Sequence, residues 1–331
     1  MWWAPNRAQF SEMGKFCLHP ERRIETQDLD GCAFYSDPSD LENNVPQHAS
    51  KGTMTDPNPN KVDGPTEILI ATFGTKRLTV ANKMVSDLDW LRWCLRSIRR
   101  HCSGFQGITI AHPEHEGAMF RPLVDEFGVR LHPHPEPKGK GFLSHQIQMA
   151  NAERIVPSGT RYVLHCDADC IFRMPTTPEH FFWNDRPYHI IRSWASLGVG
   201  DPAKPSFKVI SDCFQWKAPT DRQLGYNTDV YTMCMNTGVF PVDFYPAYRA
   251  HVEKVQRKPF EAWMLEGKND HPCTRMDWTA MGAYAHRFMH DRFTWFDAEK
   301  PPYPVDRKQA FWSHAGISAE TEAQIRKLIG L

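Results

Sequence analysis

The amino-acid sequence predicts an α/β fold, a mostly parallel central sheet flanked by helices that passes into a mixed α+β second half. Short apolar runs rich in isoleucine and valine, in TEILIATFGT, GITIAH and TRYVLH, have the length of strands covered on both faces. Between them, SDLDWLRWCLRSIRRHCSG and MFRPLVDEFG carry apolar residues at helical spacing. A strand, helix, strand, helix order is what a parallel sheet requires, because each crossover must return the chain to the same end.

Residues 1–65 show neither period. Their early part holds Trp2, Trp3, Phe10, Phe16, Phe34 and Tyr35, an aromatic extension, and their later part, NNVPQHASKGTMTDPNPNKVDGP, reads as linker. A single domain is expected over 66–331, since no Gly/Ser or Pro linker divides it and no internal repeat is present. TEILIATFGT, bounded by Pro65 and Gly74, is its first strand and loop. Leu88, Leu91, Leu95 and Ile98 then set a helical period, with Ser86 as N-cap and Gly104 just past the end. GITIAH is the second strand and MFRPLVDEFG the second helix. In LSHQIQMANAERIV, Ile147, Ala150, Asn151, Arg154 and Ile155 mark a helix with two faces, which Pro157 and Gly159 stop. Tyr162, Val163 and Leu164 form a central strand. Beyond it PYHIIRSWA, SFKVISDCFQW and TGVFPVDFY read as strands or loops, and YPAYRAHVEKVQRK and MDWTAMGAYAHRF as helices.

Composition narrows the function classes. With 331 residues, 41% hydrophobic and 24% charged, the chain resembles ordinary globular proteins. Basic and acidic residues both number 39, so no global field draws it to nucleic acid or membranes. The nine cysteines lack a CxxC pair or a repeated spacing, which fits reduced thiols. MWWAPNRAQF has no apolar signal core, and no run approaches the roughly 18 apolar residues of a membrane span. A soluble, cytoplasmic protein is expected.

Asp167 and Asp169 form a D-x-D directly after the central strand, at the end of the sheet where open α/β folds bind ligands. Two carboxylates so close repel each other unless a proton or cation relieves them. A divalent ion that keeps open positions for water and phosphate oxygens, Mn²⁺ or Mg²⁺, suits such a pair. The motif alone is also compatible with a solvated strand-end turn; the buried strand before it favours a site. No G-x-x-x-x-G-K-[ST] occurs, which weighs against an ATPase or kinase.

Over residues 66–316 the sequence resembles the GT-A glycosyltransferase superfamily. TEILIATFGT is similar to its first strand and nucleotide loop. HQIQMANAERI followed by YVLHCDADCIF resembles its helix and D-x-D strand, MNTGVF the strand lining the donor-sugar and acceptor pocket, and MDWTAMGAYAH a later helix near the acceptor. The resemblance implies a Rossmann-like sheet with a nucleotide-binding half at 66–175 and an acceptor half at 176–331. It also implies a nucleotide-sugar donor, read here as a UDP-sugar. Asp169 would bind the metal directly, with Asp167 facing the metal or the ribose. Thr72, Phe73 and Gly74 would contact base and ribose, and His145 and Gln146 the donor. Asn236, Thr237 and Gly238 belong to the pocket strand.

Further residues enter as candidates. His314, in FWSHAG, resembles a late histidine that several GT-A families return to the metal, and imidazole is a sound manganese ligand; an ordinary surface or packed histidine is the alternative. If His314 is a ligand, residues 303–316 close over the donor. Asp277 heads an apolar helix and is the candidate base toward the acceptor hydroxyl; equally, it is an N-terminal aspartate favoured by the helix dipole. In a retaining enzyme it would orient a sugar instead. Arg192 follows two isoleucines, and a partly buried arginine wants an anionic partner such as the donor. Lys138 and Lys140, among glycines, read as a solvated loop or a diphosphate contact. The tryptophans of the second half read mostly as core.

The function expected is metal-dependent transfer of a sugar to an acceptor hydroxyl on a glycan, lipid, protein or hydroxylated DNA base. Neutral charge disfavours the last. The competing readings are a nucleotidyltransferase, against which ATFGTKR offers one glycine and two basic residues, and a sugar-binding module without catalysis.

Overall fold

The computed structural model describes residues 61–72, 77–80, 83–196, 207–232, 238–267, 275, 278–298, 300, 307–311 and 319–331, with backbone alone at 77–80, 83–85 and 207–215. Strand β1 is Thr66–Ala71, and all six of its side chains are buried, as expected for a central strand covered on both faces. The antiparallel hairpin β2 (Arg77–Val80) and β3 (Lys83–Ser86) leads into α1 (Asp87–His101). Ser86 caps this helix as read: its Oγ accepts from the Asp89 N–H at 3.2 Å, and the Asp89 carboxylate accepts from the Ser86 N–H at 2.9 Å. β4 (Gly107–Pro113) and α2 (Gly117–Phe127) follow, and Gly128 ends α2 at φ +57°, a left-handed position that glycine takes without strain. Next come β5 (Arg130–His134), α3 (Gly141–Ala150), α4 (Ala152–Ile155), β6 (Tyr162–His165) and β7 (Cys170–Phe172).

The remaining elements are β8 (Phe182–Trp183), β9 (Arg186–Ser193), α5 (Phe207–Leu224), β10 (Val230–Tyr231), β11 (Val239–Pro241), α6 (Phe244–Gln256), α7 (Phe260–Leu265), α8 (Trp278–Phe288), β12 (Thr294–Asp297), β13 (Lys308–Ala310) and α9 (Ala319–Ile329). The main sheet runs β11-β6-β1-β4-β5; its last four strands are mutually parallel and β11 is antiparallel to β6. A second sheet, β10-β9-β12, carries β8 on β9. None of the described helices is long and apolar enough to cross a membrane.

Alternation along the strands builds two cores. Ile68, Ile70, Ile108, Ile110 and Leu164 face α1 and α2, while Leu69, Ala71, Ala111, Val163 and Phe240 face α3, α6 and α8. A charged pin fixes the register at the opposite end from the strand tips. Glu67, fully buried on β1, accepts from Thr109 Oγ1 at 2.7 Å and is bridged by the Arg130 guanidinium. Gly107 makes this possible, because a Cβ there would overlap that guanidinium.

Two readings are corrected. From Phe207 on, SFKVISDCFQW is not strand or loop: it forms the start of α5, which runs on to Leu224 and carries a Lys217–Asp221 ion pair one turn apart at 2.6 Å. Its aromatic and β-branched residues favour strands locally, and the tertiary setting overrides them. Residues 143–150 do not show two faces, since every one is buried, and the helix breaks at Asn151. There Arg249 of α6 donates to the Ala150 carbonyl and pairs with Glu153, taking a carbonyl that the interrupted helix leaves over.

Candidate functional site

The order of the main sheet locates the site. From β1 the chain steps outward to β4 and β5, then returns to the other flank for β6, so β1 and β6 diverge at a topological switch point. The crevice beyond the carboxyl ends of two such strands is where open α/β sheets take ligands. Thr72 follows β1 and the D-x-D follows β6.

Asp167 and Asp169 are both partly exposed on the turn between β6 and β7, with Ala168 buried between them. Their carboxylate oxygens and the Cys170 sulfur all lie within 4.8 Å of one another, the one such group of metal-binding side chains among the described residues. The hydrogen bond that Cys170 makes to Cys166, together with burial, pushes the Cys170 thiol well above its ordinary range, so it is a neutral thiol beside two oxygen donors. That donor set fits a hard divalent cation that leaves positions for water and phosphate. Sequence reasoning missed Cys170, which looks like one more core residue after the motif.

The turn's backbone is held from several sides. The Asp167 carbonyl accepts from the Cys170 N–H at 3.0 Å and from the Cys166 thiol at 3.5 Å, and the Asp169 carbonyl accepts from the Phe311 N–H at 2.9 Å. β13 thereby extends the β7 ladder up to the motif itself.

Beneath the turn sits a tier of buried imidazoles. His165, the last residue of β6, shares a hydrogen bond with the Tyr245 hydroxyl at 2.7 Å. Burial, then the positive charge of Lys308, pushes His165 down to about 3. Burial also lowers His145 well below its ordinary value and takes His189 down to about 4. These rings are neutral at pH 7, and the charge buried beside His165 is the Lys308 ammonium.

The other expected residues fall as follows. Thr72 is buried and its N–H donates to the Ala111 carbonyl at 3.0 Å, which prolongs the sheet by one residue. His145, in the second turn of α3, hydrogen-bonds the backbone of Ala71 at the end of β1. Gln146 is fully buried beside it, and neither end of its amide has a hydrogen-bond partner among the described residues. Gly238 carries the carbonyl that accepts from the His165 N–H at 2.9 Å, and a Cβ at this position would overlap the Trp278 indole. Arg192 lies apart from the main sheet, on β9 opposite Tyr231. Lys140 donates to the Gly267 carbonyl at 2.9 Å. Phe73, Gly74, Asn236, Thr237, Asp277 and His314 lie outside the described residues.

No protein-family model matches the chain, and no curated protein matches it. Among solved structures it is similar to 4-diphosphocytidyl-2C-methyl-D-erythritol synthase from Anaerococcus prevotii, with 10% identity over 32% of this chain and 44% of that chain and a TM-score of 0.24. It is similar to S. aureus TarS, with 8% identity over 34% and 18% and a TM-score of 0.23. A third is the inositol-1-phosphate CTP transferase from T. maritima, with 11% identity over 81% and 98% and a TM-score of 0.44. The chain spans 44% of the first protein's length and 18% of the second's. All three superpose weakly, so the fold rests on the sheet topology itself.

Proposed function

We propose that the chain is a metal-dependent glycosyltransferase that moves a sugar from a nucleotide-sugar donor, a UDP-sugar, to an acceptor hydroxyl. One observation carries the reading: two carboxylates with oxygens within 4.8 Å of each other stand at the carboxyl end of β6, beside the switch point of a parallel sheet. Asp169 and Asp167 would hold Mn²⁺ or Mg²⁺, and when bound that ion neutralises the charge that develops on the leaving diphosphate. His314 is the proposed third ligand. Thr72, Phe73, Gly74, His145 and Gln146 would line the donor side, with Asn236, Thr237 and Gly238 toward the sugar and Arg192 as a further anion contact.

The chemistry left to the chain is proton transfer. As the new bond from the acceptor oxygen to the anomeric carbon forms and the bond to the diphosphate oxygen breaks, the hydroxyl proton must pass to a base. Asp277 is the proposed base. It lies outside the described residues; the next residue, Trp278, packs its ring on His165, two residues before the motif. The acceptor is a glycan, lipid, protein or hydroxylated base.

The test is a nucleotide-sugar panel scored for binding and turnover, with and without Mn²⁺, on the full chain and on Asp169→Ala. Expected are metal-dependent turnover, its loss in the variant, and an unchanged melting temperature. Absence of binding to every nucleotide sugar, with no effect of EDTA, sinks the reading. Nucleotidyl transfer from a nucleoside triphosphate would replace it with the competing enzyme class, and sugar binding that ignores Asp169→Ala with a non-catalytic module.

A further inference from the structure

Lys308 is 1% exposed, one of the most deeply buried side chains of the molecule. An ammonium is costly to bury, and an apolar residue of similar length usually fills such a space better. Its position is specific. β13 pairs antiparallel with β7, Lys308 opposite Phe172 and Ala310 opposite Cys170, and the next residue, Phe311, bonds the Asp169 carbonyl. From this strand Lys308 Nζ reaches under the turn and donates to the carbonyl of His165 at 2.9 Å. His165 is the residue at which β6 ends and the chain departs toward Asp167.

The same strand therefore holds the motif on both sides. Lys308 fixes the carbonyl two residues before Asp167, and Phe311 fixes that of Asp169. Two partners so placed determine the angle at which the turn leaves β6, and hence the separation of the two carboxylates.

We infer that Lys308 is a positioning residue for the D-x-D turn, holding the His165 carbonyl so that Asp167 and Asp169 meet one divalent cation. This rests on the reading that the two aspartates bind such an ion. Lys308 itself would touch neither metal nor substrate.

The experiment titrates the full chain with Mn²⁺ alone, following free and bound ion by electron paramagnetic resonance, alongside thermal melting. Lys308→Met removes donor and charge at similar length; Lys308→Arg keeps both. Expected is a roughly tenfold weaker Mn²⁺ affinity and a broadened bound-ion spectrum in Lys308→Met, with affinity largely restored in Lys308→Arg. A Lys308→Met protein that melts earlier but binds Mn²⁺ with unchanged affinity and spectrum makes Lys308 structural only, and overturns the inference. Should Lys308→Met not fold, Lys308→Gln decides: a neutral amide that donates to the carbonyl should keep the affinity, and a tenfold loss at unchanged melting temperature overturns positioning in favour of charge. Asp169→Ala separates the two readings. If it binds Mn²⁺ as the unaltered chain does, the metal reading fails and this inference with it; if it alone loses the ion, only the inference fails.

Discussion

The indole of Trp278 stands edge-on to the imidazole of His165, centroids 5.4 Å apart and planes at 78°, in space that Gly238 leaves open by having no Cβ. The contact joins the start of α8 to the end of β6. Gly238→Ala would force the indole aside. The expected cost is about 1–3 kcal/mol, as for overpacking elsewhere. Urea unfolding measures it, and a variant as stable as the unaltered chain would show that Trp278 has room to move.

Glu67 offers a test of the fold that leaves the site alone, since it lies at the amino end of β1. Its buried carboxylate bonds Thr109 and Arg130 on two neighbouring strands. Removing one partner of a buried pair strands the other, but Arg130 is 45% exposed and can return to water. Glu67→Ala is therefore expected to destabilise by about 2–3 kcal/mol, below the range for a fully buried pair. Thr109→Val, which removes one hydrogen bond, should cost about 1 kcal/mol. Equal losses in the two would contradict this ranking.

Acid should unfold the protein partly through His189. Burial against Phe240, Phe293 and Trp295 lowers it to about 4, while its Nε2–H donates to the Val239 carbonyl at 3.2 Å. In the unfolded chain it returns to about 6.5. Between these values the unfolded state binds the extra proton, so stability is full above pH 6.5 and falls as pH drops toward 4. The slope for one group is at most about 1.4 kcal/mol per pH unit, or about 3 kcal/mol over the window. His189→Leu should flatten the dependence between pH 6.5 and 4 in chemical unfolding. An unaltered slope would assign it to other histidines.

What the sequence made legible was local. Ser86 with Asp89 announced the start of α1, Gly128 the end of α2, and unbroken apolar runs the central strands, because each signal lies within a few residues of what it controls. The place of Asp167 and Asp169 just after β6 was legible for the same reason. Partners distant in sequence were not: Lys308 meets the His165 carbonyl across 143 residues, and Cys170 becomes a neighbour of the carboxylates only once the turn is formed. In α5, Phe207, Val209 and Ile210 favour a strand on their own, and nothing nearby in the sequence overrules them.

His314 is the residue on which the metal reading can be tested most directly after the aspartates. It lies outside the described residues, between Phe311 and Ala319. Phe311 bonds the Asp169 carbonyl at 2.9 Å, and α9 begins at Ala319, with Ile325 and Ile329 packed in one cluster with Trp90 and Trp93 of α1. As proposed third ligand, the His314 imidazole would take a coordination position otherwise left to water. His314→Ala is expected to weaken Mn²⁺ binding about tenfold and to abolish nitrogen hyperfine coupling in the electron spin echo of the bound ion, while the melting temperature holds. Coupling that survives in His314→Ala would identify another nitrogen ligand. Unchanged affinity without any coupling in the unaltered chain would leave the two carboxylates as the protein's share of the site.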